Sequence, residues 1–167
     1  MKMMTLRRTM QMITLKVKKL SETAHLPEKA TPYDAGFDLY VDCPSSILYG
    51  TCEAGVIEIP PHCTAKIPTG IAMEIPRGYY AAIYARSGVA TKRGLRPCQG
   101  TGVVDSSYRD QVYIPLHNDT TVTQYVRHGE RIAQFTILPV PVVNMIEVDE
   151  LNMEDDRGGG FGHTGTL

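Results

Sequence analysis

The chain has 167 residues, with 17 basic against 18 acidic side chains and a formal net charge of −1. That length suits one domain able to bury roughly two-thirds of its unfolded surface. The near-neutral charge, with no basic run denser than Lys16-Val17-Lys18-Lys19, argues against a nucleic-acid partner, and no apolar stretch is long enough for a membrane span.

These features lead us to expect a soluble protein of the cytoplasm, or of the host interior if viral. Residues 1–13 carry basic side chains but no apolar core, unlike a secretory signal, and are expected to be a flexible leader. Cys43, Cys52, Cys63 and Cys98 form no Cys-x-x-Cys pair and have no nearby His at ligand spacing. Reduced, partly buried thiols are therefore expected rather than zinc or disulfides. The 15 Gly and 11 Pro are spread along the chain, which suits many short strands joined by turns.

In chain order, Leu15 and Val17 alternate with Lys16 and Lys18 in a first strand. A loop with Pro27 and Pro32 leads into Ala35-Gly36-Phe37-Asp38-Leu39-Tyr40-Val41, where Phe37, Leu39 and Val41 share one face and Asp38 points the other way. Strands disfavour Asp, so Asp38 needs water or a partner. Val56–Pro60, Ala65–Ile67 and Ile71–Ile75 are each closed by Pro or Gly, the rhythm of a sandwich or barrel. Tyr79–Tyr84 is a longer strand running into Arg86-Ser87-Gly88. There Ser87 is expected to cap a short helix that Gly94 ends, with exposed N–H groups and Arg86 favouring an anion.

The stretch Gly100–Leu116 reads as a hairpin. Gly100 and Gly102 allow close backbone approach, Val103 and Val104 lead in, Asp105-Ser106-Ser107 turn, and Val112, Ile114 and Leu116 alternate on the way out. Its tip carries Asp105, Tyr108 and Arg109. Further strands are expected at Thr121–Val126, Arg131–Leu138 and Val142–Val148. In the second of these Gln134 either presents its amide to a ligand or pairs with backbone. The end, Arg157-Gly158-Gly159-Gly160-Phe161-Gly162-His163-Thr164-Gly165, cannot build a core, but could wrap an anionic ligand with its ring on a base.

Read together, Ala35-Gly-Phe-Asp-Leu, Arg86-Ser-Gly-Val-Ala, Gly102-Val-Val-Asp-Ser-Ser-Tyr-Arg, Gly129-Glu-Arg-Ile-Ala-Gln and Arg157-Gly-Gly-Gly-Phe-Gly-His-Thr-Gly resemble the five ordered motifs of the trimeric deoxyuridine triphosphatases. The resemblance implies an all-β fold, a distorted jelly-roll β-barrel with one short helix near 87–93. Residues 14–149 would form the domain, and residues 150–167 an arm that closes over an active site. It also implies a homotrimer with shared sites that hydrolyses dUTP to dUMP and pyrophosphate with Mg²⁺.

By that likeness Asp105 is the general base, and Asp38 holds water on the metal. Arg86, Ser87, Gly88 and Gln134 bind phosphates, and Tyr108 packs under the deoxyribose. The backbone from Gly100 through Gly102, Val103 and Val104 meets the uracil edge. In the arm, Phe161 covers the uracil, Arg157, His163 and Thr164 lie near the phosphates, and Gly162 also binds the substrate. Three residues separate Arg157 from Phe161 where the commonest family pattern has four, and Asp110 replaces a usual Gly. A deaminase of the same fold acts on dCTP through a hairpin Glu, and no Glu lies between Glu74 and Glu130. An idle binding protein on this scaffold would have little reason to carry Asp38, Ser87, Asp105, Tyr108 and Gln134 together.

Overall fold

The structure is a computed structural model that describes residues 12–44, 52–53, 55–154, 156 and 158. Its strands are β1 (Lys16–Lys19), β2 (Phe37–Tyr40), β3 (Cys52–Glu53), β4 (Val56–Ile59), β5 (Thr64–Pro68), β6 (Ile71–Glu74) and β7 (Tyr79–Ala85). After helix α1 (Ser87–Arg93) come β8 (Leu95–Pro97), β9 (Gly102–Val104), β10 (Tyr113–Asn118), β11 (Gln124–Arg127) and β12 (Arg131–Pro139). They form four sheets, ordered β1-β6, β5-β10-β8, β11-β4-β3 and β2-β12-β7-β9, rather than one closed barrel. The arrangement is the expected jelly-roll-like, nearly all-β fold, with the one short helix where the sequence placed it. Among the described residues no helix is long and apolar enough to cross a membrane.

Alternation carries the core. Leu39, Ile59, Ile67, Ile114, Leu116, Ile132 and Phe135 are fully buried, each on the inward face of its strand. Phe37 stacks on Phe135 with ring centroids 5.2 Å apart, joining β2 to β12. Asn118 is buried at the end of β10 and is fully engaged. Its Nδ2 donates to Ile59 O at 2.9 Å and Val122 O at 2.8 Å, and its Oδ1 accepts from Thr120 N at 2.9 Å.

Four expectations change. The two arms of Gly100–Leu116 do not pair with each other: β9 pairs with β7, while β10 pairs with β5 and β8. Alternation tells which face a residue takes, not which strand it meets. Val142–Val148 forms no strand and is exposed, since β propensity by itself supplies no ladder partner. Ser87 is the first residue of α1 and not its cap. Arg86, with φ −77° and ψ 136°, is the cap, and Gly94 ends the helix at φ 62° as expected. Lastly, Cys43 is fully buried and disulfide-bonded, whereas Cys63 and Cys98 are free and exposed. Disulfide formation depends on the approach of two Cα atoms, which spacing along the chain does not reveal.

Candidate active site

The predicted residues gather into two cavities. The first, about 600 Å³, lies where β2, the start of α1 and β12 meet, and is lined by Gly36, Asp38, Arg86, Ser87, Gly88, Arg131 and Gln134 among others. Asp38 has found the partner its strand position required. Arg86 Nε donates to Asp38 Oδ1 at 2.8 Å and an Arg131 NH group to Asp38 Oδ2 at 3.2 Å, leaving the Asp38 side chain only 13% exposed. Arg86 also donates to Arg131 O at 3.2 Å. Gln134 sits opposite Asp38 on β2 and Tyr84 on β7, and its Nε2 donates to Ala85 O at 3.2 Å. The two readings of Gln134 therefore hold together: its amide is anchored to backbone and also borders the cavity. Ser87 is exposed at the rim, where the first N–H groups of α1 have no intrahelical acceptor.

The second cavity, about 450 Å³, is bordered by β9, the turn after it and β10, with Ile83, Gly102, Val103, Val104, Asp105, Tyr108 and Lys66 in its wall. The turn braces itself. Tyr108 N donates to Asp105 O at 3.1 Å and the Tyr108 hydroxyl to Gln111 O at 2.8 Å, while the Arg109 guanidinium donates to Ser106 O at 2.6 Å and Tyr108 O at 2.9 Å. Asp105, exposed at the end of β9, and Tyr108, 39% exposed, thus line the same cavity. Burial, then the Asp110 charge, pushes the Tyr108 phenol above its ordinary range, so the ring stays neutral. β9 is the last strand of its sheet, so its outer N–H and C=O groups lack a strand partner among the described residues.

The two cavities share no lining residue. One chain thus brings Asp105, Tyr108 and Gly102–Val104 together, and separately Asp38, Arg86, Ser87, Gly88 and Gln134. Gly100, at φ 74°, shapes the turn before β9 but lines neither cavity. Arg157, Phe161, Gly162, His163 and Thr164 lie outside the described residues.

Sequence reasoning passed over Arg131. Simple alternation would put it on the inward face with Ala133 and Phe135, but a bulge between Arg131 and Ala133 sets it opposite Tyr40, on the face of Asp38. It also missed the reason for Gly36: a Cβ there would come within 2.6 Å of Gln134 Oε1.

Residues 22–165 match the dUTPase family model. Relatives named deoxyuridine 5'-triphosphate nucleotidohydrolase include one from Syntrophotalea carbinolica, 38% identical over 93% of this chain and 99% of its own length. Another, from Arabidopsis thaliana, is 37% identical over 90% of this chain and 82% of its own. A mutant Staphylococcus bacteriophage 80alpha dUTPase with dUpNHpp superposes with a TM-score of 0.77 at 28% identity, over 91% of this chain and 98% of that one. A mutant dUTPase from phage phi11 of S. aureus, described with a structural Mg(II) ion, gives 0.70 at 26% identity over 83% and 98%. With the motif residues placed around these two cavities, the chain belongs to the dUTPase family.

Proposed function

We propose that the protein hydrolyses dUTP to dUMP and pyrophosphate, supplying dUMP and keeping uracil out of DNA. The observation that carries this reading is the braced turn that brings Asp105 and Tyr108 into the wall of one cavity, edged by the side of β9 that has no strand partner among the described residues. A pyrimidine presents an edge of alternating donors and acceptors, which an unpaired strand complements as a neighbouring strand would. The Tyr108 ring packs against the deoxyribose and leaves no room for a 2′-hydroxyl. Asp105 accepts a proton from water as that oxygen bonds to the α-phosphorus. The bond from that phosphorus to the α–β bridging oxygen then breaks, and pyrophosphate leaves. Arg86, Ser87, Gly88 and Gln134 hold the phosphoryl oxygens, on which negative charge is spread.

Magnesium fits this donor set through water rather than by direct ligation. Both Asp38 oxygens already accept from a guanidinium, and among the described residues no cluster of three His, Cys, Asp or Glu could hold a metal. A carboxylate keeps further lone pairs for a bridging water, and Mg²⁺ retains waters while taking phosphate oxygens. When bound, the ion would neutralise charge on the triphosphate.

Two features support a homotrimer with shared sites. The nucleoside and anion cavities are separate within one chain. In addition, Val142, Met145, Ile146 and Leu151 are 103%, 90%, 73% and 77% exposed, apolar side chains left uncovered among the described residues. Residues 14–149 form the catalytic domain in this reading, and residues 150–167 the arm that closes over a site and excludes stray water.

The test is pyrophosphate release from dUTP, dCTP and UTP with Mg²⁺, for the native protein and Asp105→Asn. Turnover is expected with dUTP alone and should fall by about 10²–10⁴-fold in the variant. Ammonia from dCTP, or an Asp105→Asn variant with native rates, would overturn the reading. A monomer at working concentration with full turnover would remove the shared-site part.

A further inference from the structure

One cation in the nucleoside cavity has no part in the mechanism above. Of the residues lining that cavity, only Asp105 and Lys66 carry charge. Ile67 is fully buried, so alternation turns its neighbour Lys66 to the other side of β5, into the cavity wall. There Lys66 Nζ lies 3.9 Å from the centroid of the Tyr113 ring on β10. Among the described residues the ammonium meets neither a carboxylate nor a hydrogen-bond acceptor. A ring face holds a cation in place without neutralising it, and leaves its three N–H donors free for a ligand. The other basic side chains of the β5-β10-β8 sheet are engaged. Arg96 is spent on Asp119, and His117 shares a hydrogen bond with Thr64 at 2.9 Å.

The cavity also has a direction. Asp105 and Tyr108 belong to the turn between β9 and β10, and so mark one end. Lys66 is in register with Pro115, two residues past Tyr113, which is about 7 Å further along β10 from that turn. β9 and β10 do not pair with each other, so both border the space that a flat ring would enter. With the deoxyribose on Tyr108, N1 of the pyrimidine lies at the turn end. C4 is across the ring from N1, and its substituent therefore leads into the end where Lys66 stands.

Resting on the dUTPase reading, we propose that Lys66 is a specificity-determining residue whose ammonium donates to the 4-carbonyl oxygen of uracil. Uracil offers an acceptor at that position, whereas cytosine carries an amino group that only donates. The ammonium is thus paired by one base and faced with a second donor by the other. A hydrogen bond with an ionised donor is about twice as strong as a neutral one. A site built around such a bond rejects the base that cannot make it.

Calorimetry with dUMP and dCMP tests this in native protein, Lys66→Met and Lys66→Gln. Lys66 is exposed, so neither change disturbs the core. In Lys66→Met, dUMP should bind about 10–100-fold more weakly, and dCMP within about 2-fold of native or more tightly. Lys66→Gln also removes the charge and should lose the same preference, which serves if the Met variant aggregates. Equal weakening of both nucleotides would make Lys66 a contact to their phosphate, and unchanged binding of both would take it out of the site. Either result overturns the proposal and leaves native dUTP turnover intact, whereas absence of that turnover would strike the dUTPase reading itself.

Discussion

Gly36→Ala offers a sharp test of how the anion cavity is built. The backbone there is not left-handed, so alanine is tolerated by φ and ψ, but its Cβ would lie 2.6 Å from Gln134 Oε1 and 3.1 Å from Gln134 Cδ. The amide must swing away, and in doing so gives up its 3.2 Å bond to Ala85 O. A lost hydrogen bond costs about 1 kcal/mol, and a displaced rotamer about 0.5–1.5 kcal/mol. Against this, alanine restricts the unfolded chain and returns about 0.4–1 kcal/mol. Net destabilisation of about 1 kcal/mol follows, visible as a lower urea midpoint. Function should suffer more. A displaced Gln134 cannot donate to the α-phosphate, and a bond to a charged group is worth about 1.5–3 kcal/mol, so kcat/KM for dUTP should fall about 10–100-fold. In a Gln134→Ala background the same alanine should be neutral or mildly stabilising, a coupling of about 1 kcal/mol or more in a double-mutant cycle. Native midpoint and native kcat/KM in Gly36→Ala, or strict additivity in the cycle, would refute the argument.

Arg93→Met should unlatch the end of α1 from Glu130 and from the Tyr125 carbonyl. Stability should fall by about 1–3 kcal/mol and KM for dUTP should rise while kcat changes less, read from urea melts and steady-state kinetics. A stability loss with unchanged KM would mean the start of the helix is placed without the latch. Arg96 donates to Asp119 at 2.7 and 3.0 Å and, chiefly through these hydrogen bonds, holds its carboxyl below the ordinary range. A depressed folded-state value means the stabilisation is present above the unfolded value and is lost as pH falls through the folded one. Arg96→Met should therefore flatten the acid-side loss of stability below about pH 4. The effect should be small and fade in high salt, as both side chains are 43% exposed. Superimposable pH profiles at low salt would contradict it.

Much of the site was legible in the sequence. Asp38 opposite an apolar face announced a carboxylate in need of water or a partner, and the Gly94 that ends α1 followed from its place after Arg86-Ser87-Gly88. The stretch around Tyr108 reads as a hairpin, but its turn is held by bonds of Tyr108 and Arg109 to nearby carbonyls, not by pairing between its two arms. Val142–Val148 has strand-like residues and no ladder, because pairing is a property of two segments and the pattern belongs to one.

By itself the sequence determined the local terms: which residues face inward, where Pro and Gly break the chain, and which side chains are available for phosphate chemistry. Those follow from side-chain periodicity and backbone sterics, which act over a few residues. Only the tertiary structure decided that β9 closes a sheet edge, that Gly36 must be bare for Gln134 to fit, and that a bulge turns Arg131 onto the face of Asp38. Each depends on the register between strands far apart in the chain, and a shift of one residue in that register exchanges core for cavity.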